Sequence, residues 1–202
     1  QAQGLFEQAC AATDNFQRID PHADTEHVRA WAELMRLVFA SNQDRRIDPA
    51  HVQVMQDALD AQLPRHTVLA IGLASVLTYC HVQDWRFRQA LTLGNVAMHV
   101  HPLANADKAA VFLRLHQGFA ALASTSLAQA TDYIVDAQQL ALRHGHALSY
   151  EVLSTQMMRA VLHVENNEPE LAMALLEPAL RHVRNINGWL TLHAEAFWVA
   201  AD

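Results

Sequence analysis

Small residues recur along this chain in a ladder with a step of about forty positions, and that ladder limits what the chain can become. Gln89-Ala90-Leu91 leads to Ala97, Gln129-Ala130 to Ala137, and Leu171-Ala172 to Ala179. The two alanines of each set are seven residues apart, and successive sets are offset by 40 and 42 residues. Ala58 extends the ladder backwards, 39 residues before Ala97. Matching breaks follow the last two sets, Leu142-Arg143-His144-Gly145 and Asn185-Ile186-Asn187-Gly188. Small residues seven apart share one helix face and let a neighbouring helix approach closely. A unit this short cannot cover its own apolar face, so it stacks on the next copy. The pattern predicts an all-α fold of antiparallel helical hairpins.

Composition agrees. Half the chain is hydrophobic, 51%, with only 6 Gly and 6 Pro among 202 residues, which leaves few breaks for the turns of a β-sandwich. The breaks that exist are placed like helix ends. Asp20-Pro21, Asp48-Pro49 and Glu168-Pro169 put Pro where a helix starts, because its missing N–H costs nothing there. His144-Gly145 and Asn187-Gly188 put Gly where a helix stops. The hairpins are expected as 24–41 with 49–62, 67–80 with 86–101, 106–123 with 127–143, and 147–164 with 169–184. A short helix over residues 2–12 precedes them. The tail from Trp189 to Ala201 begins another first helix without a partner and is apolar nearly all round, as a helix buried on two sides would be. Residues 1–202 therefore read as a single helical-repeat domain cut from a longer chain. Its bare end also predicts that the isolated segment can pair as a homodimer.

Charge and cysteine usage narrow the function classes. The net charge is -7, and no basic stripe suits a polyanion, so direct nucleic-acid binding by this segment is not expected. Cys10 and Cys80 lie in different helical segments without metal-like spacing and read as small buried hydrophobes, which points to a reducing, cytoplasmic setting. No apolar run reaches the ~18 residues of a membrane span, and the N-terminus lacks the blocks of a signal peptide.

The spacing of small residues resembles the tetratricopeptide repeat. Gly118, Ala130 and Ala137 fall at that family's spacing, as do Ala160, Ala172 and Ala179; Ala90, Ala97 and Pro102 match its two alanines and closing proline. Asp84-Trp85 resembles the family's Gly-Asp-aromatic turn, with two extra residues before Ala90. The resemblance implies a TPR-like solenoid of antiparallel hairpins, with a longer repeat of about forty residues and a right-handed superhelix. Leu171–Leu180 followed by Trp189–Ala196 resembles the sensor region of MalT-like, LuxR-type transcriptional regulators. In that family an ATPase module precedes the sensor and a helix-turn-helix domain follows it. This chain contains neither a Walker A loop nor a recognisable helix-turn-helix, so those activities would lie in other parts. The implied function is an effector- or partner-binding sensor segment, and the alternative is a protein–protein scaffold unconnected with transcription.

Candidate chemistry is sparse. His99 and His101 are two apart and diverge on a helix, and His144 and His146 flank a Gly with no carboxylate or Cys cluster beside them, so no metal and no cofactor are expected. Ser124-Thr125-Ser126 reads as helix capping, Cys80-His81 turn apart on a helix, and no Gly-x-Ser-x-Gly elbow occurs. The chain is expected to bind and not to catalyse. The surface built from first helices is the expected binding face. Equal steps back from Ala130 and Ala172 pair Arg114 with Gln156 and Gln117 with Arg159, and Gln156, Arg159 and His163 share one helix face. One reading makes these five a polar stripe that holds carboxylate, phosphate or sugar hydroxyls of a small-molecule effector, or groups of a peptide partner. The other makes them solvated or engaged in hydrogen bonds within the stack. The aromatics Trp31, Phe39, Trp85, Phe112, Phe119, Phe197 and Trp198 read as packing, and of Met157 and Met158 at least one is expected to face the groove.

Overall fold

The computed structural model describes residues 2–20, 25, 28–32, 34–35, 47–62, 67–101, 107–124, 126–144 and 147–183. The first helix of the first hairpin lies largely outside them, and the Trp189–Ala201 tail and its dimerising role lie entirely outside. The helices are α1 (Ala2–Ile19), α2 (Pro49–Gln62), α3 (Thr67–Gln83), α4 (Phe87–Val100), α5 (Asp107–Ala123), α6 (Leu127–His144), α7 (Tyr150–Glu165) and α8 (Pro169–Val183). No strand occurs among the described residues.

The packing follows the ladder. Within the hairpins, α3 packs on α4, α5 on α6 and α7 on α8. Between hairpins, α5 packs on α3 and α4, and α7 packs on α5 and α6. The chain is an all-α helical repeat in which the first helices α5 and α7 each touch both helices of the preceding hairpin. Ala90, Ala97, Ala130, Ala137 and Ala179 are 0% exposed and Ala172 1%, so the ladder is where helices meet. Gly118 serves the same end, since a Cβ there would lie 2.7 Å from Ile134 Cγ1. Helix α3 is buried all round, from Leu69 to Cys80 with only Gly72 half-buried, and Gly72 admits Leu34 so closely that a Cβ would lie 2.8 Å from its Cδ2.

Three boundaries differ from the sequence expectation by more than one residue. Helix α1 runs to Ile19 instead of stopping at residue 12, because nothing breaks it before Asp20-Pro21, and the residue before a proline is pushed out of helical conformation. Helix α7 begins at Tyr150, three residues later than expected, because Ser149 is extended and its hydroxyl caps Val152 N–H at 3.4 Å. Helix α3 continues three residues past Cys80. Among the described residues, no helix is long and apolar enough to cross a membrane.

Candidate functional site

The hairpin turns share one backbone design. At the α3–α4 turn, Trp85 N–H donates to Val82 O (3.0 Å) and Arg86 N–H to His81 O (2.8 Å). Two repeats later, Asn167 N–H donates to Val164 O (2.8 Å) and Glu168 N–H to His163 O (2.8 Å). Ser126 N–H reaches Ala121 O (3.0 Å) in the turn between them. This is the Schellman closure of a helix end, and its key residue takes the left-handed conformation usually given to glycine. Here that residue is Trp85 or Asn167, each with φ of 60°. Asparagine tolerates this conformation, but for tryptophan it costs roughly 1–2 kcal/mol. Nor does packing offset the cost, since Trp85 is 80% exposed. The expectation that Trp85 is a packing residue is corrected: its place in the turn points the indole outwards.

What the turn achieves is a groove wall. Trp85 and Phe87, with ring centroids 5.8 Å apart, stand at one end of a cavity of about 240 Å³. Tyr79 and Val82 of α3, Leu115, His116 and Phe119 of α5, and Met158 of α7 complete it. A further hollow of about 210 Å³ shares Phe119, Ala123 and Met158 and continues past Val161 to Glu165. The groove thus crosses three successive first helices, the face expected to bind, and Met158 is the methionine that faces it. The lining is apolar with a few polar points. Gln83 Nε2 donates to Tyr79 Oη (2.8 Å), and the Tyr79 ring lies 5.3 Å from the His116 ring. Burial drives the His116 imidazole down to a pKa of about 3, so it is neutral at pH 7; Ser75 Oγ lies 3.5 Å from its Nδ1. Apolar walls, aromatic faces and a neutral ring suit the hydrophobic part of a ligand and not a charged head.

The five polar residues singled out from sequence are elsewhere, and none lines this groove. Arg114 and Gln117 are brought together on α5, with Arg114 Nη1 donating to Gln117 Oε1 (2.9 Å). Gln117 is 0% exposed; its amide donates to Leu91 O (3.2 Å) and Asn95 Oδ1 (3.0 Å) on α4. Arg114 also reaches Asp136 (3.5 Å) and lies 5.3 Å over the Tyr133 ring, both on α6. Arg159 donates to Gln138 Oε1 across to α6 (3.1 Å), and His163 Nδ1 meets Glu168 Oε2 in the following turn (2.7 Å). Gln156 Oε1 is buried and makes no hydrogen bond. Arg114, Gln117 and Arg159 tie first helices to second helices. The residues that shape the groove are one or two positions further along the same helices, Leu115, Phe119, Met158 and Val161. Of these, the sequence pointed to the Met157–Met158 pair alone; the other signal for the groove was Trp85, an aromatic in a turn position that favours glycine.

Among the described residues, no three His, Cys, Asp or Glu side chains converge so as to hold a metal ion. His101 is buried with its Nδ1 3.1 Å from Thr67 Oγ1, while His99 is exposed. The side chains of Cys10, His144 and His146 lie outside the described residues. Cys80 is buried, and burial together with Asp84 pushes its thiol up to about 12, which leaves it unreactive as a nucleophile.

Comparison with known proteins bears on the fold alone. No family model matches the chain, and no curated protein matches it. Among solved structures, the chain is similar to the crystal structure of BtubC (BKLC) from P. vanneervenii, with a TM-score of 0.62 and 14% identity over 98% of this chain and 83% of that one.

Proposed function

We propose that this chain is a recognition module whose first-helix groove takes the apolar, ring-sized part of an effector or a protein partner. Trp85 carries this reading. A large aromatic held in a costly backbone conformation and left 80% exposed, with a single ring contact to Phe87 among the described residues, gains little for the fold. It forms a wall of the groove, and backbone strain that packing does not repay is characteristic of functional positions. Each hollow, about 240 and 210 Å³, is smaller than the roughly 300–1,000 Å³ of a drug-sized pocket, so each suits one anchoring group.

The likeness of the repeat to MalT-like sensor regions supports setting this module in a LuxR-type regulator. There a bound effector would bias attached ATPase and DNA-binding modules through its unequal affinity for two arrangements. The second reading, a scaffold for a peptide or partner helix, is favoured by the groove's continuation from Phe119 past Val161 to Glu165, which suits an elongated occupant.

A thermal-shift screen against sugars, nucleotides, amino acids and small carboxylates, run on the wild type, Trp85→Ala and Phe119→Ala, tests the proposal. Saturable stabilisation by one class, lost in both variants, supports an effector in the groove. Stabilisation that survives both variants removes the groove from the function. A silent screen shifts the reading to the scaffold, and a partner captured by the wild type must then be lost by Phe119→Ala.

A further inference from the structure

The other face of α3 borders a second, larger cleft. Helices α2 and α4 both pack on α3, and between them opens a space of about 430 Å³. Its walls differ from those of the aromatic groove. Asp60 comes from α2, Arg88 from α4 and His81 from α3, while Leu93 and Val96 make an apolar side. Three helices thus bring an acid, a base and an imidazole to one opening.

The fold makes little use of those groups. Among the described residues Arg88 forms no ion pair, and Asp60 accepts a single hydrogen bond, from Gln56 Nε2 at 3.0 Å. Arg88 and Asp60 line the same space from two different helices without pairing with each other, and a space of about 430 Å³ between them leaves room for a bridging molecule. His81 Nδ1 is buried and makes no hydrogen bond, an arrangement that costs free energy until a donor or acceptor reaches the ring. Burial, and after it the neighbouring Arg86, hold the His81 imidazole below its ordinary pKa, with Asp84 opposing, so it offers a neutral ring to an incoming group.

We propose that this cleft binds a small zwitterion with an apolar side chain, a free α-amino acid. Its carboxylate meets Arg88, its ammonium meets Asp60, and its side chain lies against Leu93 and Val96. A plain carboxylate would leave Asp60 facing an anion, and a plain amine would do the same to Arg88 with a cation; only a molecule with both charges satisfies both walls. The site is independent of the aromatic groove, which lies on the other side of α3.

Isothermal titration calorimetry of the chain with L-leucine, L-methionine and L-phenylalanine tests this. The controls are 4-methylpentanoate, which lacks the amine of leucine, and 3-methylbutylamine, which lacks its carboxylate. The expected result is saturable binding of at least one amino acid and about ten-fold or greater weakening for Arg88→Gln and for Asp60→Asn, the loss of one partner of a charged pair. For leucine-like binding the single-charge analogues should be weakened by a similar factor. Both substitutions are at exposed side chains, so the helical circular dichroism should be unchanged. Trp85→Ala and Phe119→Ala should leave the affinity as it was, which separates this site from the groove. No saturable heat with any of the three amino acids, or binding indifferent to both charge substitutions, overturns the proposal.

Discussion

Gln117 and Gly94 are fitted to each other across the boundary between two hairpins. The buried amide of Gln117 reaches the backbone of α4, bonding to Leu91 O and Asn95 Oδ1, because position 94 has no side chain in its way. A Cβ at Gly94 would fall against the Gln117 side chain far inside contact distance. The contact explains how a polar residue comes to be fully buried: both of its amide protons are used, and its oxygen accepts from Arg114.

Gly94→Ala is therefore expected to destabilise. Alanine gains about 1 kcal/mol of helix propensity over glycine. Displacing Gln117 costs about 1–3 kcal/mol in overpacking, before the lost hydrogen bonds are counted. The net loss of about 1–2 kcal/mol should lower the urea midpoint at unchanged m-value, and a raised midpoint would mean that Gln117 is not pinned.

Trp85→Gly separates strain from use. Glycine adopts the left-handed turn without penalty, so the variant should gain about 1 kcal/mol in stability. It should also lose any ligand response of the aromatic groove. Asn167→Gly, at the equivalent turn, should change stability by only a few tenths of a kcal/mol, because asparagine already tolerates that conformation. Equal gains at the two sites would remove the case for a special role of Trp85.

His116 should make the fold acid-sensitive. Its pKa is about 3 folded and near the ordinary 6.5 unfolded, so below pH 6.5 the unfolded chain binds a proton that the folded chain refuses. The stabilisation is complete above pH 6.5 and is lost as pH falls towards 3, at up to about 1.4 kcal/mol per pH unit. Urea unfolding between pH 7 and pH 4 should show a shallower slope in His116→Leu than in the wild type. Parallel slopes would show that the ring is not kept neutral.

Pro178 stands inside α8, on an exposed face, where it has no N–H to give to the carbonyl one turn earlier. Pro178→Ala should restore that bond and raise stability by up to about 3 kcal/mol, less the entropy that alanine returns to the unfolded chain. A thermal melting temperature unchanged or lowered would mean that the shape of α8 around the proline is needed for its packing on α7.

The repeat was legible because its signal is steric. Ala90, Ala97, Ala130, Ala137, Ala172 and Ala179 are small for one reason, the approach of another helix, and every one of them is buried at such an approach. The candidate site was harder to read because polarity was used as the mark of a surface. Gln117 and Arg159 are polar yet belong to helix–helix hydrogen bonds, while Phe119 and Met158 are apolar yet line the groove. Composition and helical spacing do not reveal whether a polar side chain meets a partner helix or water; that depends on the rotation of each helix by a single residue. Trp85 was readable in principle, since its register equivalent two repeats on is an asparagine in a left-handed turn.

Helix α3, buried from Leu69 to Cys80 but for Gly72, also sets the order in which the molecule comes apart. Its residues from Leu73 to Cys80 are all buried in the middle of the stack, so solvent deuterium should reach their amides only by unfolding of the whole stack. The exposed faces of α4 and α8 can open in smaller excursions. In a hydrogen-exchange experiment α3 should form the slowest class, with an opening free energy equal to the global stability of the chain.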